Sequence, residues 1–530
     1  MHGINTVDEL KQIDVVTFII LAGILVVGWV NEKEKVRVMK NNKMIIIGAG
    51  VAGLSTGSYA QANGYRTLLL EMHDKPGGLC TAWQRKDYVF DGCIHHLAGA
   101  GYTSKFHPIW EQLGVSQLEM FFHDLFVRCE APDGSQFNVF TNIDSLESHL
   151  KELAPEDAKL IDQYISAARR FTKFELLGLP LYGKTEMARL IPHLIHLPRW
   201  MKVTLDDFAS RFKNPFLRRV FPYLQYGIPQ VPLGVHLGFI AGCHNRTLGT
   251  PRADSLTFAR SLEQRYLGLG GEIVYDARVE KILVEGDRAV GVRLADASEH
   301  RADLVVSAAD GHSTIFEMLE GKYINELIRD FYANPPWDPQ PFAVFVCLGV
   351  ARDLSGEPPA ICYFPERPVS IGGQTQPHLN LELYTGPHYA PAGKGVMIVP
   401  VDSTYAYWSK LHQDRNRYRE KKEQTAATVL EILEQRFPGI RGHVEVVDVA
   451  TPLTMERYTG NYEGRQTWSP PRSGFKTMLK GLSRTLPGLD RFYMVGQWAD
   501  AMIGISTAAL SGRKLIQHLC RQEHRPFQVP

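Results

Sequence analysis

The sequence predicts an α/β fold, and three features of residues 43–71 carry that prediction. An apolar segment at residues 44–47 is typical of a buried strand, and the glycine pattern Gly48-Ala49-Gly50-Val51-Ala52-Gly53 follows it directly. A helix-like stretch then leads to a second apolar segment, residues 66–70, which ends at Glu71. Strand, glycine turn, helix, strand and acid in this order predict a Rossmann-like βαβ unit.

Each part of this unit has a role in binding a dinucleotide. Gly48 makes the tight turn out of the strand, Gly50 lets the backbone approach a pyrophosphate, and Gly53 allows the helix to pack closely on the strand. The helix N-terminus offers free N–H groups and a partial positive charge to phosphates. Glu71, 23 residues after Gly48, is placed to accept hydrogen bonds from a ribose diol. The alternative is a glycine-rich turn without a ligand, but the complete unit in register favours a binding site.

Length and composition exclude several classes of protein. A chain of 530 residues is too long for one core and predicts two or three domains. Its formal charge of +1 gives no global field that would attract nucleic acid. The seven cysteines are scattered and include no Cys-x-x-Cys, which argues against a disulfide framework or a metal site and favours a reducing compartment.

The N-terminal segment favours a membrane-associated protein. Residues 15–30 carry no charge, and at 16 residues their length is borderline for a membrane-spanning anchor, which needs about 17 to 20. Acidic residues precede this segment and lysines follow it, so the positive-inside rule places the main body on the cytoplasmic side. We expect a peripheral or N-terminally anchored protein there; the alternative is that translation begins at Met39.

The strand and helix patterns predict one domain that closes across most of the chain, because nucleotide-binding segments lie at its start, middle and end. Residues 302–308 and 492–496 are predicted to be strands of the same sheet, and residues 278–292 a hairpin turning at Gly286-Asp287. The predicted units are an N-terminal segment (1–42), three parts of a nucleotide-binding domain (43–143, 246–335 and 486–530), a helical apolar insertion facing substrate or membrane (144–245) and a substrate domain (336–485).

Further motifs give the chain a family resemblance. They are Gly77-Gly78 with Phe90-Asp91-Gly92, the block at residues 270–292, Val305-Val306-Ser307-Ala308-Ala309-Asp310, and Tyr493-Met494-Val495-Gly496 with Ser511-Gly512-Arg513. With them the chain resembles the flavin-dependent phytoene desaturase, carotenoid isomerase and retinol saturase superfamily, a branch of the amine oxidoreductases, over about residues 43–515. The resemblance implies an FAD/NAD(P)-binding Rossmann-like fold with an inserted α+β substrate domain, and FAD as cofactor.

The resemblance also implies the residues that contact FAD. The glycine pattern would hold the pyrophosphate, Glu71 the ribose, Val279 the adenine, and the C-terminal segment the ribityl chain and flavin ring. The implied cofactor-binding residues are Gly48, Gly50, Ala52, Gly53, Glu71, Gly77, Gly78, Val279, Gly496, Asp500, Gly504, Ile505 and Ser506. Ala501-Met502 stand where the family usually has Pro-Gly, which puts the backbone contact with the flavin at that point in question.

Two histidines are candidates for catalysis. Similar family members have a histidine after the Asp-Gly turn, so His95 or His96 is expected to relay a proton at the substrate face of the flavin. Adjacent strand residues point to opposite faces, so at most one can do so, and either can be a core histidine. Asp91 is expected to cap a turn.

The expected function is hydride exchange between flavin N5 and a lipophilic substrate. The resemblance implies desaturation, isomerisation or saturation of carbon–carbon double bonds in an isoprenoid or another lipophilic molecule. Residues 187–202 mix apolar with basic and aromatic side chains, which suits a surface dipped into a membrane, although a buried helix pair is an equal alternative. A flavin amine oxidase is the alternative function, and a non-enzymatic prenyl-binding protein is a further one.

Overall fold

The computed structural model describes residues 42–333, 339–466, 483–500 and 504–530. The predicted anchor at residues 15–30 and the pair Ala501-Met502 lie outside these residues. Within the described ranges, no helix combines the length and the apolar character needed to cross a bilayer.

The described strands are short and distributed along the whole chain. In chain order they are β1 (Lys43–Ile47), β2 (Arg66–Leu70), β3 (Ala82–Arg85), β4 (Tyr88–Asp91), β5 (Leu97–Ala98), β6 (Met120–Phe121), β7 (Leu125–Glu130), β8 (Gln136–Phe140), β9 (Leu248–Pro251), β10 (Glu272–Val274), β11 (Val279–Glu285), β12 (Arg288–Leu294), β13 (Glu299–Arg301), β14 (Leu304–Ser307), β15 (Gln340–Val350), β16 (Ala360–Tyr363), β17 (Val369–Ile371), β18 (Gln374–Gln376), β19 (Leu379–Thr385), β20 (Gly395–Ser403), β21 (Val444–Ala450) and β22 (Phe492–Met494).

The described helices concentrate between β8 and β10. In chain order they are α1 (Val51–Ala62), α2 (His107–Gln112), α3 (Ile143–Leu153), α4 (Ala158–Phe171), α5 (Lys184–Leu194), α6 (Leu197–Lys202), α7 (Leu205–Ala209), α8 (Pro215–Val220), α9 (Leu233–His244), α10 (Ser255–Gly268), α11 (Glu326–Ala333), α12 (Tyr405–His412), α13 (Arg415–Arg436), α14 (Pro452–Thr459) and α15 (Ile505–Gln522). Short 3₁₀ turns and one π-helical turn, Ser313–Met318, lie between them.

A parallel five-stranded sheet forms the nucleotide-binding domain, in the order β10-β2-β1-β14-β22. Its strands come from distant parts of the chain: β1 pairs with β2 on one side and with β14 on the other, and β14 pairs with β22. They are buried and apolar because layers cover the sheet: α1 packs against α10 and α15, and the antiparallel β11-β12-β13 sheet packs beside β14. The predicted closure of one domain across the chain is confirmed, as is the hairpin turning at Gly286-Asp287.

A second, seven-stranded mixed sheet has the order β21-β15-β20-β19-β16-β7-β8 and carries α13 on one face. One predicted boundary is corrected here. Strands β7 and β8 lie within residues 43–143, which the sequence assigned to the nucleotide-binding domain, yet β7 pairs in parallel with β16 of this second sheet. Strand patterns show that a segment is extended but not which edge it joins, so this long-range pairing was missed.

The insertion between β8 and β9 is helical, as predicted. Its aromatic side chains mostly form the core: Phe208, Phe212 and Phe221 are each 0% exposed. Helices α5 and α6 bury Leu194 and Trp200 but leave residues on their other face in solvent. The aromatic content of this region therefore reflects packing more than a lining for substrate.

A buried ion pair joins β7 to α13, and its loss should destabilise the protein. Arg436 donates through Nε and Nη2 to the carboxylate of Glu130, which is 2% exposed, and through Nη2 to Glu357 at 2.7 Å. Arg436→Met leaves that buried carboxylate without its main partner, at a cost of about 3 kcal/mol. We expect a melting temperature several degrees lower in a thermal unfolding experiment.

Arg415→Met, in the exposed first turn of the same helix, is the matched control and should change stability by less than about 0.5 kcal/mol. Equal melting temperatures for the two variants would contradict the structural role given to the Arg436 pair.

Candidate active site

A cavity of about 720 Å³ lies where the two sheets and the helical insertion meet. Residues that follow the carboxyl ends of the parallel strands line one side, among them Gly48, Glu71 and Gly496. Phe345 and Glu382 of the second sheet line the other side. Ligands of open α/β sheets bind at this end of the strands, so the cavity is the candidate site.

The turn between β1 and α1 is built for an anion. A Cβ atom on Gly53 would lie 2.0 Å from the Gly48 carbonyl oxygen, so only glycine lets the helix start this close to the strand. Gly48 itself has a φ of +97°, which a side chain would strain. The N-cap of α1 is Gly50, which provides no side-chain cap, and Gly50, Val51 and Ala52 line the cavity. The uncapped N–H groups and the helix dipole thus face the cavity.

Glu71 stands at the end of β2 and faces the same cavity. Its Oε2 accepts from the Ala49 N–H at 2.7 Å, and its Oε1 accepts from the His73 N–H at 2.9 Å. Burial raises the pKa of the Glu71 carboxyl, and the two backbone donors act against that shift. A carboxylate has about four lone-pair sites, so this one keeps the capacity to accept from a ribose diol.

Most of the other predicted cofactor residues also line the cavity: Gly77, Gly78, Val279, Gly496, Gly504 and Ile505. Gly504 is the N-cap of α15, again without a side-chain cap. The N-termini of two helices thus border the cavity. Helix α1 belongs to the first nucleotide-binding segment of the chain, and α15 belongs to the last.

Three predicted residues, Gly53, Asp500 and Ser506, do not line the cavity, and Gly53 packs against the Gly48 carbonyl instead. Ser506 donates to the Ala98 carbonyl at 3.0 Å. Asp500 accepts from Arg484 at 2.7 Å and from the Ser511 hydroxyl, which in turn accepts from the Gly496 N–H at 2.9 Å. Asp500 therefore positions the Gly496 turn through Ser511.

These residues fit a dinucleotide. The cavity offers the glycine turn and the uncapped N-terminus of α1 for a pyrophosphate. Glu71, the buried acid at the end of the neighbouring strand β2, is available for a ribose. Gly496 and the N-terminus of α15 line the same cavity.

The structure separates the two candidate histidines. His95 lines the cavity, whereas His96 is directed into the helical insertion. The His96 ring stacks on Phe126 with centroids 4.8 Å apart, and its Nδ1 lies 2.9 Å from the Tyr226 hydroxyl. Burial lowers the pKa of His96 to about 3, so this imidazole stays neutral. His96 is the core histidine of the pair and His95 is the one that faces the site.

Two residues of the site were not found from the sequence. Glu382 Oε1 lies 3.3 Å from His95 Nε2, and the Tyr384 hydroxyl lies 3.4 Å from His95 Nδ1. Both are on β19, whose alternate residues Leu379, Leu381 and Leu383 pack into the core. On the opposite face Glu382 lines the cavity, whereas Tyr384 touches His95 without lining it. The alternation was visible in the sequence, but the pairing of its polar face with His95 was not.

Burial raises the pKa of the Glu382 carboxyl, and the adjacent His95 acts against that shift. Burial also raises the pKa of the Tyr384 hydroxyl well above its usual value. The three side chains thus form one linked group, with His95 between Glu382 and Tyr384. They can hold and move a proton at the cavity wall.

Asp91 caps a turn, as expected. Its carboxylate accepts from the Cys93 N–H at 3.0 Å and from the N–H of Ser255 at 2.8 Å, and also from the Ser255 hydroxyl. Burial raises its pKa, while these donors act to lower it. Asp91 thereby ties the loop that carries His95 to the start of α10.

Residues 46–113 match the family model of the NAD(P)-binding Rossmann-like domain. Over 91% of its length the chain is 25% identical to prolycopene isomerase 1 of an Oncidium hybrid cultivar, covering 84% of that protein. Over 90% of its length it is 23% identical to the all-trans-retinol 13,14-reductase of Danio rerio, covering 85% of it. A lycopene-forming phytoene desaturase of a Paracoccus strain is 26% identical over 50% of this chain and 54% of its own.

Solved structures show the same fold. An oxidoreductase from Methanosarcina mazei matches with a TM-score of 0.57 and 16% identity, over 90% of this chain and 100% of that one. Putrescine oxidase bound to putrescine matches with a TM-score of 0.57 and 12% identity, over 91% and 99%. The fold and site thus define an enzyme with the Rossmann-like fold of FAD/NAD(P)-binding oxidoreductases. Within that class, the chain is a homologue of the prolycopene isomerases, retinol reductases and phytoene desaturases.

Glu71→Ala should weaken binding of the adenosine part of a dinucleotide. Removing a charged hydrogen-bond acceptor costs about 1.5–3 kcal/mol, or about tenfold to a hundredfold in dissociation constant. The measurement is calorimetric titration of the cofactor-stripped protein with FAD.

Glu272→Gln, an exposed acid on neighbouring β10, is the control and should bind as the wild type does. An unchanged affinity for Glu71→Ala would exclude this carboxylate as the ribose ligand.

Proposed function

We propose that this protein is an FAD-dependent oxidoreductase that acts on the carbon–carbon double bonds of an isoprenoid or another lipophilic substrate. The observation that carries the proposal is the continuity of one cavity. The dinucleotide cradle at Gly48 and Glu71 opens into the space lined by His95, Glu382 and a group of aromatic side chains.

The character of the cavity wall supports a lipophilic substrate. The lining of the whole cavity includes Tyr226, Phe342, Phe345, Trp498 and Ile505. Such a wall favours an apolar molecule, since burying a polar one without partners costs free energy. The names of the relatives fit this picture, because prolycopene, retinol and phytoene are all lipophilic polyenes or polyene precursors.

The cofactor would lie with its pyrophosphate at the N-terminus of α1, its ribose at Glu71 and its ring system near Gly496 and the N-terminus of α15. Bound there, FAD supplies hydride acceptance and donation at N5. The aromatic wall orients the substrate and excludes water. His95 holds a proton at Nε2 or Nδ1, with Glu382 and Tyr384 as its partners. Saturation of a double bond adds a hydride and a proton to the substrate, and desaturation removes both, so this group would give or take the proton.

The test incubates the purified full-length protein separately with a panel of polyenes (carotenoids and retinoids) and a panel of amines. We expect flavin absorption in the purified protein and new desaturated, saturated or isomerised products from a polyene by chromatography. Peroxide formed with amines, together with unchanged polyenes, would instead establish the amine oxidase alternative. A colourless protein that binds prenyl groups would point to the non-enzymatic alternative.

Glu382→Gln should lower kcat on the polyene by about a hundredfold, the usual contribution of one acid–base group, and leave FAD affinity unchanged. The amide keeps the shape of the side chain but cannot ionise. Glu366→Gln, an exposed acid just after β16, is the matched control with wild-type turnover. Wild-type turnover in Glu382→Gln would exclude Glu382 from the proton relay.

We further propose that the protein works at the cytoplasmic surface of a membrane, where a lipophilic substrate is dissolved. Helices α5 and α6 support this, because Ile191 and Ile195 are 49% and 43% exposed. The basic residues Lys184, Arg189, Arg199 and Lys202 surround them and are also exposed. Exposed apolar side chains among cations suit an interface with anionic lipid.

The double variant Ile191→Ser/Ile195→Ser should reduce the fraction of protein that sediments with vesicles containing phosphatidylglycerol, because less apolar surface is buried in the bilayer. Leu327→Ser is the control. Leu327 is an exposed apolar residue elsewhere on the protein, with 52% exposure, and this variant should sediment as the wild type does. Equal sedimentation of both variants would exclude α5 and α6 as the membrane contact.

A further inference from the structure

Two cysteine thiols lie next to each other on the cavity wall, although no sequence motif predicts this pair. Cys80 and Cys93 both line the cavity. Cys80 is 2% exposed, and Cys93 is half-buried. Twelve residues separate them in the chain, so a search for closely spaced cysteines misses the pair.

The hairpin β3–β4 brings the two residues opposite each other. Its register sets Ala82 opposite Asp91. The Gly92 N–H donates to the Thr81 carbonyl at 3.0 Å, so Cys80 and Cys93 flank the last hydrogen-bonded rung of the hairpin. The Cys80 and Cys93 side chains are hydrogen-bonded to each other. Two thiols in contact beside the end of a hairpin can be joined with little backbone movement.

The environments of the two thiols differ. The Cys93 thiol beside it and burial both raise the pKa of Cys80 well above its usual value. The Cys80 Sγ donates to the Ser255 carbonyl at 3.4 Å. Cys93 is the more accessible of the two, and its backbone is fixed by the bond from its N–H to Asp91 at 3.0 Å. A soluble reagent therefore reaches Cys93 first, and Cys80 is positioned to react with it afterwards.

We propose that Cys80 and Cys93 form a reversible redox pair that exchanges with small disulfides of the glutathione type. The Cys93 thiolate attacks one sulfur of glutathione disulfide, the first glutathione leaves as a thiolate, and a mixed disulfide remains on Cys93. Cys80 then gives up its proton and attacks the Cys93 sulfur, and the second glutathione leaves. The two protein thiols lose two electrons and two protons, and one glutathione disulfide becomes two glutathione thiols.

The protein contains its own control for this chemistry. Cys129 on β7 and Cys362 on β16 are also opposite each other in register, but both are 0% exposed. They do not line the cavity. If proximity alone decided oxidation, both cysteine pairs would form disulfides. If access through the cavity decides it, only Cys80 and Cys93 do.

The experiment equilibrates the full-length protein in buffers of increasing glutathione disulfide to glutathione ratio, quenches it in acid, blocks free thiols and maps cysteine peptides by mass spectrometry. We expect a linked Cys80–Cys93 peptide whose fraction rises with the ratio and falls again on return to reduced glutathione. Cys129 and Cys362 should stay blocked as thiols throughout.

Single variants separate the two roles. In Cys80→Ser, Cys93 should accumulate as the mixed disulfide with glutathione, because no second thiol resolves it. In Cys93→Ser, Cys80 should remain a thiol. Cys129→Ser is the matched control, with the wild-type fraction of linked Cys80–Cys93.

Free thiols at Cys80 and Cys93 at every ratio in the wild type would overturn the proposal. So would parallel oxidation of Cys129 and Cys362, since that pattern means unfolding. The wild-type peptide map decides the matter even where a variant fails to fold.

Discussion

The close contact between Gly53 and the Gly48 carbonyl is the constraint on which the rest of the site depends. It brings the start of α1 against the end of β1, so that the uncapped N–H groups of the helix open into the cavity. The same turn lets the Ala49 N–H bind Glu71, which joins the ends of β1 and β2 and holds the acid towards the cavity. A larger residue at position 53 would move helix, acid and phosphate cradle together.

The remaining walls are held to this centre by polar contacts between distant segments. Asp91 fixes the loop of His95 to the start of α10, and Asp500 fixes the Gly496 turn to α15 through Ser511. Tyr226 reaches the cavity from the helical insertion with a φ of +53°, a conformation that costs a non-glycine residue free energy. Its neighbour Gln225 is bound to buried His236 at 3.1 Å, which helps to maintain that turn.

Local patterns predicted the elements well, because they depend on residues close in sequence. The βαβ unit, the hairpin at Gly286-Asp287 and the helical insertion all lie where expected. Helix α13 begins at Arg415, where the Asp414 side chain accepts from the backbone N–H groups of Asn416 and Arg417. The edge joined by β7 and the meeting of His95 with Glu382 depend on pairing across hundreds of residues, which no local pattern encodes.

The two adjacent histidines, His95 and His96, have different surroundings because their rings lie on opposite sides of the chain. Strand-like alternation sends one ring to each side of the chain, and the two sides differ in polarity. On the side of His96 the neighbours are Phe126 and Tyr226, so the ring is neutral and serves packing. On the side of His95 the neighbours are Glu382 and the hydroxyl of Tyr384. The Tyr384 ring also packs against Tyr389, with ring centroids 4.9 Å apart. A buried ionisable side chain costs stability unless its surroundings compensate for it. Glu382 is buried and lines the cavity beside His95, so we propose that it is kept there for proton transfer.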